Sequence, residues 1–428
     1  MKAARDLSSS PLLRSLLAVT GGTATGQLVA FFFAPLITRI YSPEVFGLQG
    51  VFLSLISILS PAIALRYPMA IVVAANEADA LQLSRLALMI AFLLSCMVAL
   101  MLAILQEPFL ILLGAEALGA LVWFLPLALF CVALQDVANY RATRLGSFHL
   151  VGTVTAVHSF VTNLARVLGG LLAPVAAVLI FVTSLAPTVQ AGLLILGIRR
   201  LHGGAVPTHS TARSLALLRM HRDFPCYRVP TDVVGALGQT SPVLLLSQLF
   251  SPATAGFYIL ARSVVGLPLN VVGSAVGNVY YAQFTALARE GNPVFPLAAK
   301  STLLHLALLA GPLLLFSFLF PTLFAFVFGE TWRTAGEYAQ WMALLVTGML
   351  ANIPVVRLLP VIRQQAAHLI FNLLILVGGI FGMLGGRTLY GTAAAAVAGY
   401  SVATTALYVL QIITYLLLAR WFDKKQPK

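Results

Sequence analysis

The stretch ITRIYSPEVFGLQGVFLS, residues 37–54, nearly recurs as LSQLFSPATAGFYILARS at residues 246–263. In each copy an aromatic residue, Tyr41 or Phe250, precedes a Ser-Pro pair, and Gly47 or Gly256 follows four residues after the proline. The fixed φ of proline and the backbone freedom of glycine predict a compact reversal between two helices at both places. The two copies stand about half a chain apart in a sequence of 428 residues. A marker repeated at that spacing predicts an internally duplicated chain.

Composition says what the halves are made of. Hydrophobic residues are 60% of the chain and charged residues 9%, against roughly 25% charged in soluble domains. So little polar surface cannot wrap so apolar a core, and lipid is the main solvent. The net charge of +13 does not point to nucleic acid, because a nucleic-acid surface gathers its lysines and arginines on one face. Here they are dealt out in small groups between apolar runs. Lys2, Arg5 and Arg14 precede an apolar stretch that continues to about Ile40, past any small-residue cleavage point, so a retained first span is expected rather than a signal peptide. Cys96, Cys131 and Cys226 have no paired spacing, so neither a disulfide framework nor a metal site is expected, and no cofactor is.

Crossing about 30 Å of hydrocarbon takes roughly 20 mainly apolar residues in a helix. The chain offers spans near 12–38, 46–74, 81–106, 117–138, 150–173, 176–198, 227–250, 254–284, 297–320, 336–358, 365–385 and 390–420. The fold class expected is therefore an all-α integral membrane protein of about twelve transmembrane helices. Six precede a cytoplasmic linker and six follow it, giving lobes at 1–200 and 226–428 with the linker at 201–225. With the N-terminus in the cytoplasm, only Arg39, Arg333 and Arg387 lie outside and Arg166 and Arg262 within spans. The rest of the 26 lysines and arginines fall inside, which favours cytoplasmic termini. An even number of spans in each half makes the repeats parallel, with a central cavity between lobes as the place for substrate. The linker segment TARSLALLRMHRDF, residues 211–224, reads as an interfacial helix held by anionic membrane lipids and its own leucines, with regulation or partner docking as the alternative.

Three blocks carry a family resemblance: TRIYSPEVFG (38–47), RYPMAIVVAANEADALQLSRLAL (66–88), and the long run from HRDFPCYRVPTDVV to NVYYAQF (221–284). The chain resembles the Wzx-type oligosaccharide flippases of the polysaccharide transport family. These belong to the multidrug, oligosaccharidyl-lipid and polysaccharide exporter superfamily. The resemblance implies a two-lobed transporter, not an enzyme, in the bacterial plasma (inner) membrane. It also implies transfer of an undecaprenyl-diphosphate oligosaccharide from the cytoplasmic to the outer leaflet, for O-antigen, capsule or exopolysaccharide. A polysaccharide polymerase and a chain-length regulator are the partners it suggests.

A diphosphate and its sugars can cross a low-dielectric layer only through a wet cavity lined by cations, amides and hydroxyls. Ionisable groups inside spans are thus the site candidates. Arg262 lies about nine residues into the eighth span, where a guanidinium could grip phosphate oxygens bidentately. Arg166 stands in the fifth span with Asn163, Thr162 and His158 at helical spacings on one side. Asn270 shares a side with Arg262, whereas Asn278 faces elsewhere. Related lipid II flippases use cavity arginines from their first, second and eighth helices, which the resemblance carries onto Arg39, Arg66 and Arg262. Arg39 is near the outer end of its span, so Arg66 is the better match. For each arginine the alternative is an internal ion pair or a snorkel, and for Arg357 and Arg363 interface anchoring is expected. Asp136 is expected to pair with Arg141 and Arg144, and Asp232 with Arg228. Either carboxylate, if buried, could instead carry a coupling proton, since burial favours the neutral form. His158 and His305 titrate nearest neutrality, but a lone membrane histidine reads as a hydrogen-bonded structural residue.

Two other functions are weighed. A membrane glycosyltransferase or polymerase needs catalytic acids and a sizeable outside loop. The outside loops here are short and hold scattered acids (Glu44, Glu107, Glu116, Glu330, Glu337), and no nucleotide motif occurs. A multidrug or cation antiporter of the same superfamily would be expected to use acids within its spans, whereas the charges there are mainly arginine.

Overall fold

The computed structural model describes residues 11–202, 211–362 and 364–425, with the side chains of 11–20, 202, 211–212, 268, 270–276, 278 and 365–366 outside the description. The chain divides into two compact units, Met1–Ala255 and Gly256–Lys428. The first holds α1 (Pro11–Ile40), α2 (Pro43–Ile63), α3 (Tyr67–Val73), α4 (Glu77–Leu112), α5 (Leu125–Arg144), α6 (Phe148–Leu172), α7 (Ala176–His202), α8 (Thr211–Met220) and α9 (Val229–Leu249). After α10 (Pro252–Val265), which begins just before the boundary, the second holds α11 (Leu267–Arg289), α12 (Phe295–His305), α13 (Gly311–Ser317), α14 (Phe320–Phe328), α15 (Arg333–Leu358), α16 (Gln365–Tyr390) and α17 (Ala393–Lys425). No strand occurs among the described residues. This division follows contacts, with α9 packed on α2, whereas the lobes expected at 1–200 and 226–428 followed the sequence repeat.

The Ser-Pro pairs do the same local work in both copies. Ser42 is extended, and its Oγ accepts the Val45 N–H at 3.4 Å while Pro43 takes the first helical position of α2. Ser251 Oγ accepts the Thr254 N–H at 3.3 Å at the start of α10. A serine there satisfies an N–H that has no helical partner, and a proline after it forfeits only a donor that would go unused. Both copies are capped corners between helices.

Among the described residues, nine helical stretches are long and apolar enough to cross a membrane. The expected spans outside these nine are the fifth, seventh and eighth, which carry His158, Asn163 and Arg166, then Asp232, then Arg262. The fifth and seventh hold polar groups that lower a helix's hydropathy, and the eighth is divided at Gly266.

Several expected spans are not single regular helices. The second ends at Ile63 because Leu65 (φ 48°) and Arg66 (φ 56°) adopt left-handed backbone before α3 restarts at Tyr67. That conformation costs roughly 1–2 kcal/mol for each non-glycine residue, so surrounding contacts must hold it. The eighth is split at Gly266 into α10 and α11. The ninth passes through a π-helical turn, Leu306–Ala310, between α12 and α13.

Small residues bring helices together, as they do in lipid, where apolar area alone does not drive association. A Cβ on Gly22 of α1 would run into the backbone of Gly152 in α6. Likewise, a Cβ on Gly399 of α17 would run into the backbone of Gly382 in α16.

The linker helix has protein partners as well as the apolar residues expected to meet lipid. Leu217 of α8 is buried with Tyr67, Ile71, Leu83 and Val137 of the first unit. Tyr67 Oη donates to the Leu218 carbonyl at 3.2 Å, Gln82 Nε2 donates to Ser214 Oγ at 2.7 Å, and Arg213 Nε pairs with Asp79 Oδ1 at 2.5 Å. Protein contacts fix α8, and its exposed Leu215 and Met220 face away from them.

Candidate functional site

The left-handed junction at Leu65 and Arg66 aims an arginine between two carboxylates. Arg66 Nε lies 2.7 Å from Asp232 Oδ2 of α9, and its Nη1 lies 3.7 Å from Asp136 Oδ2 of α5. Asp232 uses its other oxygen for Arg228 Nε at 3.2 Å, the pair expected one turn away. Tyr140, one turn beyond Asp136, is within electrostatic reach of all four charges. Arg66, Asp136 and Asp232 are each partly exposed, with 21%, 32% and 16% of their side-chain surface open. Three residues read separately from the sequence thus form one cluster in the first unit, two positive charges against two negative.

The expected partners of Asp136 are corrected. Arg141 Nη2 and Arg144 Nε hold Glu77 instead, at 2.6 and 3.3 Å, and Arg144 Nη1 also donates to the carbonyls of Ile71 and Ala74 at 2.9 and 2.8 Å. A position five residues on is about 140° round a helix, and one eight residues on is about 12 Å along it. Neither arginine therefore meets Asp136 on its own helix. Both tie the end of α5 to the segment that joins α3 and α4.

The second group in this unit is built on α6. Arg166 Nη1 donates to Asn163 Oδ1 at 3.4 Å, and Asn163 Nδ2 donates to the Ser159 carbonyl at 2.8 Å. Ser159 Oγ donates in turn to the Gly26 carbonyl of α1 at 2.6 Å. Tyr41, the aromatic of the opening motif, donates from its Oη to the Arg166 carbonyl at 2.9 Å. The Arg166 Nε is buried with no hydrogen-bond partner, and no carboxylate among the described residues pairs with this guanidinium. His158 is within electrostatic reach of Arg166, and its Nε2 donates to the Ala186 carbonyl of α7 at 3.0 Å, a structural bond between helices.

In the second unit, Arg262 lies in the last turn of α10, within electrostatic reach of Tyr258 and Tyr400. Its carbonyl accepts the Gly266 N–H at 3.0 Å, where the helix breaks. Asn270 is on α11, with its side chain outside the described residues, as is Arg363 as a whole. His305 donates from Nδ1 to the Ser301 carbonyl at 2.9 Å, the structural role expected for it.

Sequence reasoning passed over two kinds of polar contact. Amide pairs join helices in the first unit, Gln49 Nε2 to Thr183 Oγ1 at 2.8 Å and Gln135 Nε2 to Gln190 Oε1 at 2.6 Å. A lone glutamine in an apolar run was the available signal. The other is the seat of Arg357, a residue expected to anchor at the interface: its guanidinium rests on Gly277, a glycine the sequence does not single out.

The fold is that of known membrane transporters. The chain superposes with a TM-score of 0.72 at 11% identity on an inward-facing multidrug resistance MATE family transporter of the MOP superfamily, covering 94% of this chain and 96% of that one. It superposes equally well, 0.72 at 12% identity, on lipid II flippase MurJ in an inward closed conformation, covering 94% and 86%. A MOP superfamily transporter from Pyrococcus furiosus, described by the reverse polarity of its binding pocket, gives 0.55 at 12% identity over 97% and 96%. At such identities the likeness establishes the fold alone, an all-α bundle of many long apolar helices. No curated protein matches the chain. Residues 36–337 match the model of a family described as polysaccharide biosynthesis protein, and the chain belongs to that family.

Proposed function

We propose that this chain is a flippase moving a polyprenyl-diphosphate-linked oligosaccharide from the cytoplasmic to the outer leaflet of a bacterial inner membrane, by alternating access. The product would serve O-antigen, capsule or exopolysaccharide synthesis, with a polymerase and a chain-length regulator as partners downstream. The supporting observation is Arg166, a guanidinium on an expected span that is balanced by no carboxylate among the described residues and has one buried N–H left over. In low dielectric an uncompensated cation is costly, and it becomes favourable when an anion occupies the site. A diphosphate supplies that anion, and amide and hydroxyl groups such as Asn163 suit the sugars. Arg66 and Arg262 are the further cations in this reading, with His158 and Asn270 beside the path. Asp136 and Asp232 are the groups that would exchange a coupling proton.

The cation-antiporter alternative draws less support from the same geometry, since Asp136 and Asp232 are both engaged by Arg66. Deleting the gene and measuring lipid by leaflet separates the two. Accumulation of undecaprenyl-diphosphate oligosaccharide in the inner leaflet is expected; unchanged lipid with increased drug sensitivity would replace the flippase by the antiporter.

A further inference from the structure

We infer that Arg357 is a phosphate-binding residue of the second unit, seated by Gly277 to meet the diphosphate ester of the transported lipid. This rests on the flippase reading and adds to it a contact on α15.

From sequence, Arg357 is an interface anchor at the end of the tenth span. Its surroundings say otherwise. The residues around it, Val355, Leu358, Leu359 and Ile362, are buried in one cluster with Phe284, Val294 and Ala298, so this end of α15 is core rather than rim. The guanidinium lies against the Cα of Gly277 in the middle of α11: a Cβ there would come 2.7 Å from Nε, 3.1 Å from Nη2 and 3.2 Å from Cζ. α11 runs on from Gly277 to Arg289, twelve residues or about 18 Å of helix. A snorkelling arginine reaches along its own helix end toward the headgroups. This one reaches back to a neighbour more than three turns short of that neighbour's end.

Gly277 supplies the seat. Only the absence of a side chain lets the guanidinium come this close to the helix, and a planar guanidinium can offer two parallel N–H···O bonds to one phosphate. Among the described residues Arg357 makes no ion pair or hydrogen bond, and none of its nitrogens is sealed from access, so its edge is open to a ligand. A cation in the last turn of α15 also complements the helix dipole. That effect would need neither the glycine nor the backward reach.

The ligand chemistry is phosphate oxygen, available from a polyprenyl diphosphate or from a phospholipid headgroup. The test is isothermal titration of inorganic pyrophosphate and of farnesyl diphosphate into the purified full chain in phosphatidylcholine nanodiscs. Losing a charge-assisted pair of bonds predicts at least about tenfold weaker binding of both in R357A, with partial recovery in R357K. G277A keeps the charge and the dipole but displaces the guanidinium, and is expected to weaken binding as R357A does. The clash there is with the far end of a flexible side chain, so this variant retains its fold. R289A, at an exposed helix end, is expected to bind as wild type. Equal affinities in wild type and R357A overturn the inference; if R166A then loses binding, the flippase reading stands without Arg357. Absence of pyrophosphate and farnesyl diphosphate binding in the wild type overturns both. Exchanging the lipid for phosphatidylglycerol distinguishes the sources. Competition that weakens pyrophosphate binding in wild type and not in R357A assigns the residue to headgroups and overturns its role toward the transported lipid.

Discussion

Arg66 Nε stands 2.7 Å from Asp232 Oδ2, so a residue in left-handed backbone between α2 and α3 is held by a carboxylate on α9. The backbone there is unfavourable by itself, and the pair supplies part of what fixes it. Because the chain between them includes α4 to α8, this contact ties the start of the first unit to its last helix.

Breaking that contact from one side leaves an unbalanced charge on the other. R66A and D232A are each expected to lower the melting temperature of the detergent-purified protein, and R66A/D232A to lose less than the two single effects added. The groups are partly exposed, so a coupling of about 0.5–3 kcal/mol is the relevant range. Strictly additive losses in a double-mutant cycle would show that the pair contributes nothing to the junction.

Arg166 and Arg262 carry a different expectation, since both are candidates for the transport path, and no carboxylate among the described residues pairs with Arg166. R166A and R262A are expected to insert at normal levels and to abolish surface polysaccharide, with R166K and R262K restoring it in part. Lysine supplies the charge without the planar fork, which is why rescue is incomplete. Surface polysaccharide at wild-type level in either alanine variant would remove that residue from the transport path.

The two Ser-Pro corners invite a comparison within one molecule. S42A and S251A each remove the side-chain acceptor of one capping bond, to Val45 and Thr254 respectively. Each is expected to destabilise by about 1 kcal/mol, the ordinary value of an N-cap serine, and to leave transport intact. A large loss of transport at normal protein level would mean that the repeated turn touches substrate.

The Ser-Pro corners were legible because everything that makes them is local: a hydroxyl, a fixed φ and the free N–H groups of the next helix lie within four residues. The Arg228–Asp232 pair was legible for the same reason, being one helical turn. The Arg66 cluster was not, although all three members were nominated, because their meeting depends on left-handed backbone at Leu65 and Arg66 and on how α5 and α9 pack. Local spacing even misdirected Asp136 toward Arg141 and Arg144, whose partner Glu77 lies on another helix. Arg357 was read as an anchor because its seat, Gly277, is remote in sequence and looks like any glycine in an apolar run. Nine of the twelve expected spans were legible as long apolar helices, since apolar length is a property of each segment alone.

The expected orientation can be read from the cysteines already present. Cys226 is exposed and lies at the start of the seventh expected span, on the side assigned to the cytoplasm, while Cys131 is buried. Cys96 is exposed on α4 among Phe92, Leu93, Met97 and Leu100, an apolar face for lipid that a water-borne reagent does not reach. A membrane-impermeant maleimide should therefore label inside-out vesicles through Cys226, and intact spheroplasts should remain unlabelled. C226S should abolish the signal while C96S leaves it unchanged. Labelling of Cys226 in intact spheroplasts would invert the topology and with it the direction of transport proposed for the lipid.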